Sequence, residues 1–315
     1  MSETARVGVT GAAGYIGSRV VTDLLESGHD VVPVDNYHDP KVDSFEDQRI
    51  LDIDVRDRGA LREAFGDVDT VMHLAAITGV EECEADPELA FDVNVTGTEN
   101  IAWLCRERAI PLVFPASMAV IGDPLEFPIA ADHPRRPLNH YGLTKTMSEE
   151  DIGWLAEDVF PALVFLKSNL YGHHEIGGQS IGKRTVINIF VERALAEEPL
   201  MVHEPGTQSR DFLHVKDVAR AYGLALDHLL DAEAGCETVP LASGESMSVL
   251  EIAHLVQRIV EEEQGIEIPV EIVENPRAVE ETDVDDFTVD TTSARGTLDF
   301  EAEHSIEESI RGMLR

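Results

Sequence analysis

The segment TGAAGYIG (residues 10–17) is the feature that most restricts the fold of this chain. It lies between a strand-like apolar run, RVGVT (6–10), and a helical pattern over residues 16–27. Glycines at such a junction let the backbone turn tightly and approach a diphosphate, whose charge the helix N-terminus stabilises. The glycines of this loop are Gly11, Gly14 and Gly17.

A single acid at the end of the second strand-like run makes this loop more specific. Asp35 ends VVPVD (31–35), 18 residues after Gly17. A carboxylate in this place binds the adenosine ribose hydroxyls and repels a 2′-phosphate, so the pattern predicts NAD rather than NADP. The cofactor-binding residues expected in this region are Gly11, Ala13, Gly14, Tyr15, Ile16, Gly17, Asp35 and Asn36.

Strand-like and helix-like patterns alternate up to about residue 172. The later strand-like runs include RILDID (49–54), TVMHLAA (70–76), PLVFPAS (111–117) and ALVFLKS (162–168). Apolar runs without polar alternation are typical of a parallel sheet covered on both faces. We therefore expect an α/β fold, a doubly wound parallel sheet of the Rossmann type with a smaller C-terminal substrate-binding α/β lobe. The expected domains are 1–172 and 173–315, with a segment of about 209–243 packing back on the first.

The charge of the chain restricts its partners and its surroundings. It has 61 Asp and Glu against 24 Lys and Arg, a net charge of -37. So large an excess strains a compact protein at low salt through self-repulsion, which favours a high-salt cytoplasm such as that of a halophilic archaeon. In molar salt, charges are screened over only about 3 Å. Nucleic acids and anionic membranes are poor partners for such a surface.

Cysteine spacing and apolar runs point to the same compartment. The three cysteines, Cys83, Cys105 and Cys236, have neither a disulfide nor a zinc spacing. Adjacent His173 and His174 lack metal-ligand spacing, so no metal site is expected. No leader pattern precedes the first strand, and no apolar stretch approaches the roughly 20 residues that span a bilayer. We expect a cytoplasmic protein with no membrane partner.

The segment HYGLTK (140–145) contains the candidate catalytic pair. Tyr141 and Lys145 are four residues apart, so on a helix both side chains lie on one face. A free tyrosine titrates near 10, and a nearby ammonium favours its phenolate, which makes it a better base. A surface aromatic–cation pair is the alternative interpretation. The preceding dinucleotide loop and a strand that ends in Ser117 favour the catalytic one.

These motifs together resemble the extended short-chain dehydrogenase/reductase family of nucleotide-sugar epimerases and dehydratases. The resemblance depends on the GxxGxxG spacing of residues 11–17, on HYGLTK, on FLKSNLYGHH (165–174) and on EPGTQSRDFLHVKDVARA (204–221). It implies a proton-relay role for Ser117 between the reacting hydroxyl and Tyr141, and a hold of Lys145 on the nicotinamide ribose. The further cofactor-site residues that it implies are Asp54, Val55, Leu74, Ala75, Ala76 and Asn94. The substrate-binding residues that it implies are Thr78, Ser117, Asn169, Arg210 and Arg277.

The residues after Ser117 bear on the reaction. The family's dehydratases have an Asp-Glu pair there and its decarboxylases keep a Glu, whereas this chain has Met118 and Ala119, which cannot transfer protons. Epimerisation needs no further acid or base, because hydride leaves C4 and returns to the other face. The sequence therefore favours an NAD-dependent epimerase of a UDP-hexose. The alternatives are a dehydrogenase of the sugar or threonine type, a dehydratase or decarboxylase, and a non-catalytic NAD-binding protein.

Two helical stretches have more apolar residues than one buried face needs. They cover residues 87–107 and 141–157. In the resembled family these helices form the four-helix bundle of a homodimer. Burial within one subunit is the alternative explanation.

Overall fold

The computed structural model describes residues 4–45, 48–275 and 282–315. The strands are β1 (Arg6–Thr10), β2 (Asp30–Asp35), β3 (Leu51–Asp52), β4 (Thr70–His73), β5 (Leu112–Pro115), β6 (Pro161–Lys167), β7 (Asn169–Tyr171), β8 (His174–Ile176), β9 (Gln179–Ile181), β10 (Leu200–His203), β11 (Ser209–His214), β12 (Gly235–Leu241), β13 (Ser246–Ser248) and β14 (Val270–Val273). The helices are α1 (Tyr15–Glu26), α2 (Arg58–Ala64), α3 (Val80–Ala85), α4 (Pro87–Phe91), α5 (Gly97–Arg108), α6 (His140–Ala156), α7 (Val186–Leu195), α8 (Val215–Leu230), α9 (Val249–Gln264), α10 (Thr292–Leu298) and α11 (Ile306–Met313).

A seven-stranded sheet forms the centre of the molecule, in the order β12-β6-β5-β4-β1-β2-β3. Every neighbouring pair in it is parallel. The side chains of β4 and β5 are buried along their whole length, as expected for strands covered on both faces. The predicted α/β class with a doubly wound parallel sheet is therefore confirmed.

Helices cover both faces of this sheet, and each face has its own apolar cluster. One cluster joins β1 to α1 and α8, with Val20, Leu24 and Leu226 at its centre. The other joins β4 and β5 to α2, α5 and α6, through residues such as Leu61 and Ile101. This two-sided packing leaves the carboxyl edge of the parallel strands open between the helices.

Smaller sheets lie after residue 167. The pair β10-β14, the three strands β13-β11-β7 and the hairpin β8-β9 are separate from the central sheet. A third apolar cluster connects α7, α9 and α11 to β10. In contrast, β12 pairs with β6 and α8 packs on α1, so most of the segment 209–243 lies against the central sheet. The boundary at residue 172 stays a prediction.

The helical stretch expected over residues 87–107 is interrupted. It consists of α4, a π-helical turn at Asp92–Thr96, and α5. Such a turn inserts an extra residue into the helical ladder and changes which side chains face inward. Here it buries Asn94 against the end of β4, next to the cleft described below. Every helix in the described ranges is too short or too polar to cross a lipid bilayer.

The close packing of the first loop can be tested with a pair of glycine variants. A Cβ on Gly17 would overlap the carbonyl oxygen of Gly11, whereas a Cβ on Gly223, in the middle of α8, meets no atom within 4 Å. We expect Gly17→Ala to lower the free energy of unfolding by about 1–3 kcal/mol, because backbone atoms must move to admit the methyl group. Gly223→Ala should raise it by about 0.5–1 kcal/mol. Denaturant unfolding at constant high salt measures both, and equal stabilities would contradict the close packing.

Candidate active site

A cleft lies at the carboxyl ends of the central strands. It opens where the chain order reverses, between β1 and β4, which is the place where open α/β sheets bind their ligands. Most of the residues predicted for the cofactor and the substrate meet there. The predicted residues that line it are Gly11, Gly14, Tyr15, Ile16, Gly17, Asp35, Asn36, Val55, Leu74, Ala75, Ala76, Thr78, Ser117, Tyr141 and Asn169.

The glycine loop leaves room for a ligand's diphosphate at the N-terminus of α1. Gly11 has a φ of 66°, a conformation that favours glycine, and a Cβ there would lie 2.6 Å from the Ala75 nitrogen. Gly14 is the N-cap of α1 and makes no side-chain cap, so the first N–H groups of the helix are available to an anion. The loop therefore fits the group that the sequence predicts for it.

At the end of β2, Asp35 is oriented by the loop. Its carboxylate accepts hydrogen bonds from the backbone N–H groups of Ala13, at 2.9 Å, and Tyr37, at 2.7 Å. Burial nevertheless raises the pKa of Asp35 above its usual value. Asp54 lies nearby and pairs with Arg56, which lowers the Asp54 pKa to about 2, and it accepts a hydrogen bond from Asn36. The two carboxylates thus differ in surroundings, and Asp35 is the one on the cleft wall.

Buried hydrogen bonds hold the segment after β4 in place. The hydroxyl of Thr10 is 2.7 Å from Nδ1 of His73 and accepts the Ala75 N–H at 3.1 Å, while Nε2 of His73 is 3.0 Å from the hydroxyl of Thr98. Burial lowers the pKa of His73 to about 3, so the ring is neutral. This series of hydrogen bonds fixes the backbone at Ala75, close to Gly11.

The π-helical turn supplies the next support. The side-chain oxygen of Asn94 accepts the Ile77 N–H at 2.8 Å, and its nitrogen donates to the Ile77 carbonyl and to the hydroxyl of Thr144. Asn94 is 1% exposed and is not on the cleft wall. Its contacts hold the 74–78 segment against α6, and its predicted place in the cofactor site stays a prediction.

Ser117 and Tyr141 meet at the inner end of the cleft. Asn139 caps α6 by accepting the Gly142 N–H at 2.8 Å, so the helix begins just before Tyr141. A hydrogen bond with Ser117 lowers the pKa of Tyr141, but burial outweighs it and raises the pKa to about 12. The net lowering that the Tyr141–Lys145 spacing suggests is therefore not found in the ligand-free chain, because desolvation of the phenolate is the larger effect.

Lys145 lies one helical turn beyond Tyr141 and is 3% exposed. Its ammonium is 4.5 Å from the centre of the Phe114 ring, a cation–π distance. Burial, followed by the charge of Lys167, lowers the pKa of Lys145 to about 7. Its ammonium is thus close to half protonated at neutral pH unless a bound group changes its surroundings.

Three lysines of the cleft wall were not predicted as site residues: Lys41, Lys167 and Lys183. Lys41 pairs with Asp39 at 2.7 Å, and Lys183 donates to the hydroxyl of Thr78 at 2.6 Å. Lys41 and Lys183 lie outside the motifs of the sequence, and Lys167 lies within FLKSNLYGHH (165–174) without being its predicted site residue. The signal available was their rarity, because the whole chain has only five lysines, at positions 41, 145, 167, 183 and 216.

The residues predicted to bind substrate have different locations. Asn169 begins β7 and lines the cleft, but Arg210, on β11, is not on this wall. The guanidinium of Arg210 donates to the carbonyls of Ser209 and Thr282. Arg277 lies outside the described residues. In the part of the chain that the structure describes, no group of three or more His, Cys, Asp or Glu side chains is placed to hold a metal ion.

Comparison with known proteins gives a family and close structural relatives. A sequence model of the NAD dependent epimerase/dehydratase family matches residues 7–236. A Methanocaldococcus jannaschii protein described as a putative UDP-glucose 4-epimerase is 33% identical over 254 residues, which are 79% of this chain and 80% of that protein. The UDP-glucose 4-epimerase of Neisseria meningitidis serogroup C is 30% identical and covers 98% of this chain and 95% of its own.

A solved structure agrees over the same length. The UDP-glucose 4-epimerase from Stenotrophomonas maltophila, with bound NAD and formylated UDP-arabinopyranose, superposes with a TM-score of 0.83 at 27% identity. The superposition covers 98% of this chain and 97% of that one. The likeness thus includes the smaller sheets as well as the central one.

The buried charge of Lys145 makes a prediction about stability and pH. The Lys145 pKa is about 7 in the folded chain against 10.5 for the free side chain, so between these values the unfolded chain binds a proton that the folded chain has lost. The free energy of unfolding therefore rises with pH across this window. Lys145→Met should be more stable than the wild type near pH 7, and its advantage should shrink as the pH rises toward 10.5.

Chemical unfolding at several pH values measures this difference in the ligand-free protein. Lys216→Met is the matched control, since Lys216 is exposed on α8. A difference between the wild type and Lys145→Met that stays constant over the window would show that the ammonium is not desolvated by the fold.

Proposed function

The chain belongs to the NAD dependent epimerase/dehydratase family, and from this premise we propose that it interconverts nucleotide sugars by inverting C4 of a UDP-hexose. One observation carries the choice of reaction: Ser117 and Tyr141 face the cleft together, and the two residues that follow Ser117 cannot transfer protons. Relatives named UDP-glucose 4-epimerase, about 30% identical over most of the chain, support it.

The residues that would hold NAD are those of the glycine loop and the end of β2. The diphosphate would lie on the first N–H groups of α1, at Tyr15 and Ile16, and the Asp35 carboxylate would accept hydrogen bonds from the adenosine ribose hydroxyls. Bound NAD supplies the hydride acceptor and, on the return, the donor. Lys145, on the inner side, would hold the nicotinamide ribose.

Proton transfer is the work of this chain's own side chains. The Ser117 hydroxyl can accept a proton from the C4 hydroxyl and pass its own to Tyr141, to which it is hydrogen-bonded. With its pKa raised to about 12 by burial, Tyr141 needs positive charge nearby to act as a base at neutral pH. The Lys145 ammonium and the cationic nicotinamide ring are the groups of that sign.

The carboxylates of the cleft wall are engaged elsewhere. Asp35 accepts hydrogen bonds from backbone N–H groups, and Asp39 pairs with Lys41. The Glu82 carboxylate oxygen Oε1 is 2.6 Å from Nε2 of His38. Met118 is 6% exposed and packs in an apolar cluster. Among the described residues that line the cleft, the inner end therefore has no acid to expel a C6 hydroxyl, which favours epimerisation over dehydration.

A tyrosine variant tests the base. Tyr141→Phe should lower kcat for conversion of UDP-galactose to UDP-glucose by about 100-fold or more, because the proton acceptor is lost. Tyr222→Phe makes the same chemical change outside the cleft, at a buried hydroxyl that has no hydrogen-bond partner among the described residues, and should keep full activity. The reaction is run in high salt, and chromatography of the sugar nucleotides measures turnover. The near-ultraviolet absorbance measures any reduced cofactor that is released. Release of one reduced cofactor per sugar would instead identify a dehydrogenase.

We also propose a homodimer in a high-salt cytoplasm. The packed helices α4 and α6 have apolar side chains on their outer surface, with Trp154 77% exposed, Leu143 46% and Phe91 43%. Such a cluster is more typical of a subunit interface than of a free surface.

The free thiols of Cys83 and Cys105 are buried, as in proteins of a reducing compartment.

Charge at this surface should prevent association. The double variant Phe91→Glu/Trp154→Glu is expected to be monomeric in sedimentation equilibrium at high salt, where the wild type is dimeric, because two carboxylates would be buried without partners. Leu195→Glu changes a residue of similar exposure, 51%, on α7 and should stay dimeric. A monomeric wild type, or a dimeric double variant, would place the interface elsewhere.

A further inference from the structure

The lysines of this acidic chain are concentrated at one place. Of five lysines, three line the cleft and a fourth, Lys145, lies just behind its wall, while Lys216 alone is on the outer surface of α8. The chain has 61 acidic residues to pair with cations. The lysines are therefore concentrated at the cleft and are not spread evenly over the protein surface, which indicates a role in the site.

Among these lysines, Lys167 is at the end where the chemistry occurs. It ends β6, and its charge acts on Lys145, the partner of Tyr141. Strand β6 is three strands from β1 and four from β2, which at the usual strand spacing is about 14 Å and about 19 Å. Lys167 therefore cannot serve the diphosphate loop after β1 or the ribose at Asp35. It faces the sugar.

Lys167 also has no counter-charge paired with it among the residues that the structure describes. The structure gives its ammonium no hydrogen bond and no ion pair with any described residue, unlike Lys41 and Lys183. Burial, followed by the charge of the Lys183 ammonium, lowers the pKa of Lys167 to about 8. A cation held beside other cations in a partly desolvated cleft is stabilised by an anion that enters with the ligand.

The sugar itself limits where that anion can be. Ser117 and Tyr141 define the position of C4, and the groups next to C4 are the C3 hydroxyl and the substituent on C5. Of the groups next to C4, a hydroxyl is neutral and brings Lys167 no counter-charge, whereas a C6 carboxylate supplies one. A carboxylate–ammonium pair that is partly shielded from water is among the stronger polar contacts in proteins.

We propose that Lys167 binds a carboxylate on C5 of the sugar, so that the preferred substrate is a nucleoside-diphosphate hexuronate. The carboxylate takes no part in bond making: C4 is inverted, and the numbers of atoms and electrons in the sugar are unchanged. This inference depends on the proposed epimerase function and specifies its substrate class.

Four sugar nucleotides test it: UDP-glucuronate and UDP-galacturonate against UDP-glucose and UDP-galactose, with the NAD-loaded protein in high salt. The wild type should convert the uronates with a kcat/KM at least about 10-fold above that of the hexoses. Lys167→Met should lower the uronate-to-hexose ratio of kcat/KM by about 30-fold or more, mainly through KM, as expected for loss of one partner of a buried charge pair. Lys167→Arg should restore part of the ratio, and Lys216→Met, on the outer surface, should leave it as in the wild type.

The outcomes separate this inference from the epimerase proposal. Conversion of hexoses with little or none of uronates would overturn the role of Lys167 and leave the epimerase intact. An equal loss of both activities in Lys167→Met would assign it a general positioning role and would also overturn the inference. If no sugar nucleotide is converted while calorimetry detects UDP-glucuronate binding that Lys167→Met weakens, the epimerase proposal fails and the carboxylate site stands. Absence of both conversion and binding overturns the two together.

Discussion

The close approach of two backbone segments, the loop after β1 and the segment after β4, is the constraint on which the site depends. A Cβ on Gly11 would come within 2.6 Å of the Ala75 nitrogen, so these segments meet only because that atom is absent. Thr10 reinforces the approach by accepting the Ala75 N–H. The cleft wall and the N-terminus of α1 are thereby held at the switch point of the sheet, where a dinucleotide can cross from β2 toward β5.

Local sequence was sufficient for the parts of the molecule that follow local rules. The parallel sheet, the glycine loop, Asp35 and the Tyr141–Lys145 spacing were predictable, because each depends on neighbours within a few turns or on one strand–helix junction. The π-helical turn at Asp92–Thr96 was not, since its cause is the tertiary demand that Asn94 reach Ile77. The helix propensities of these residues do not indicate such a tertiary contact.

Electrostatic properties were the hardest to predict. The spacing of Tyr141 and Lys145 suggests a lowered phenol pKa. Both groups are desolvated, however, so burial raises the pKa of Tyr141 and lowers the pKa of Lys145, which favours the neutral form of each. Burial depends on the whole fold, so it cannot be seen in a four-residue motif. For the same reason the sequence did not single out Lys167 or Lys183 as residues of the cleft wall, and Arg210 donates to backbone carbonyls and does not line the cleft.

The charges of the acidic outer surface and those of the cleft act largely independently of each other. In molar salt the surface charge is screened within about 3 Å, so a net charge of -37 contributes little inside the cleft. Charges in a partly desolvated pocket are screened much less and keep their interactions. The surface can therefore be as acidic as solubility in salt requires, while a ligand in the cleft interacts mainly with the ammonium and carboxylate groups that line it. Since Lys145 and the cationic cofactor are common to any sugar at this site, the charge that distinguishes one sugar from another must come from a residue without such a duty, and Lys167 is placed to be that residue.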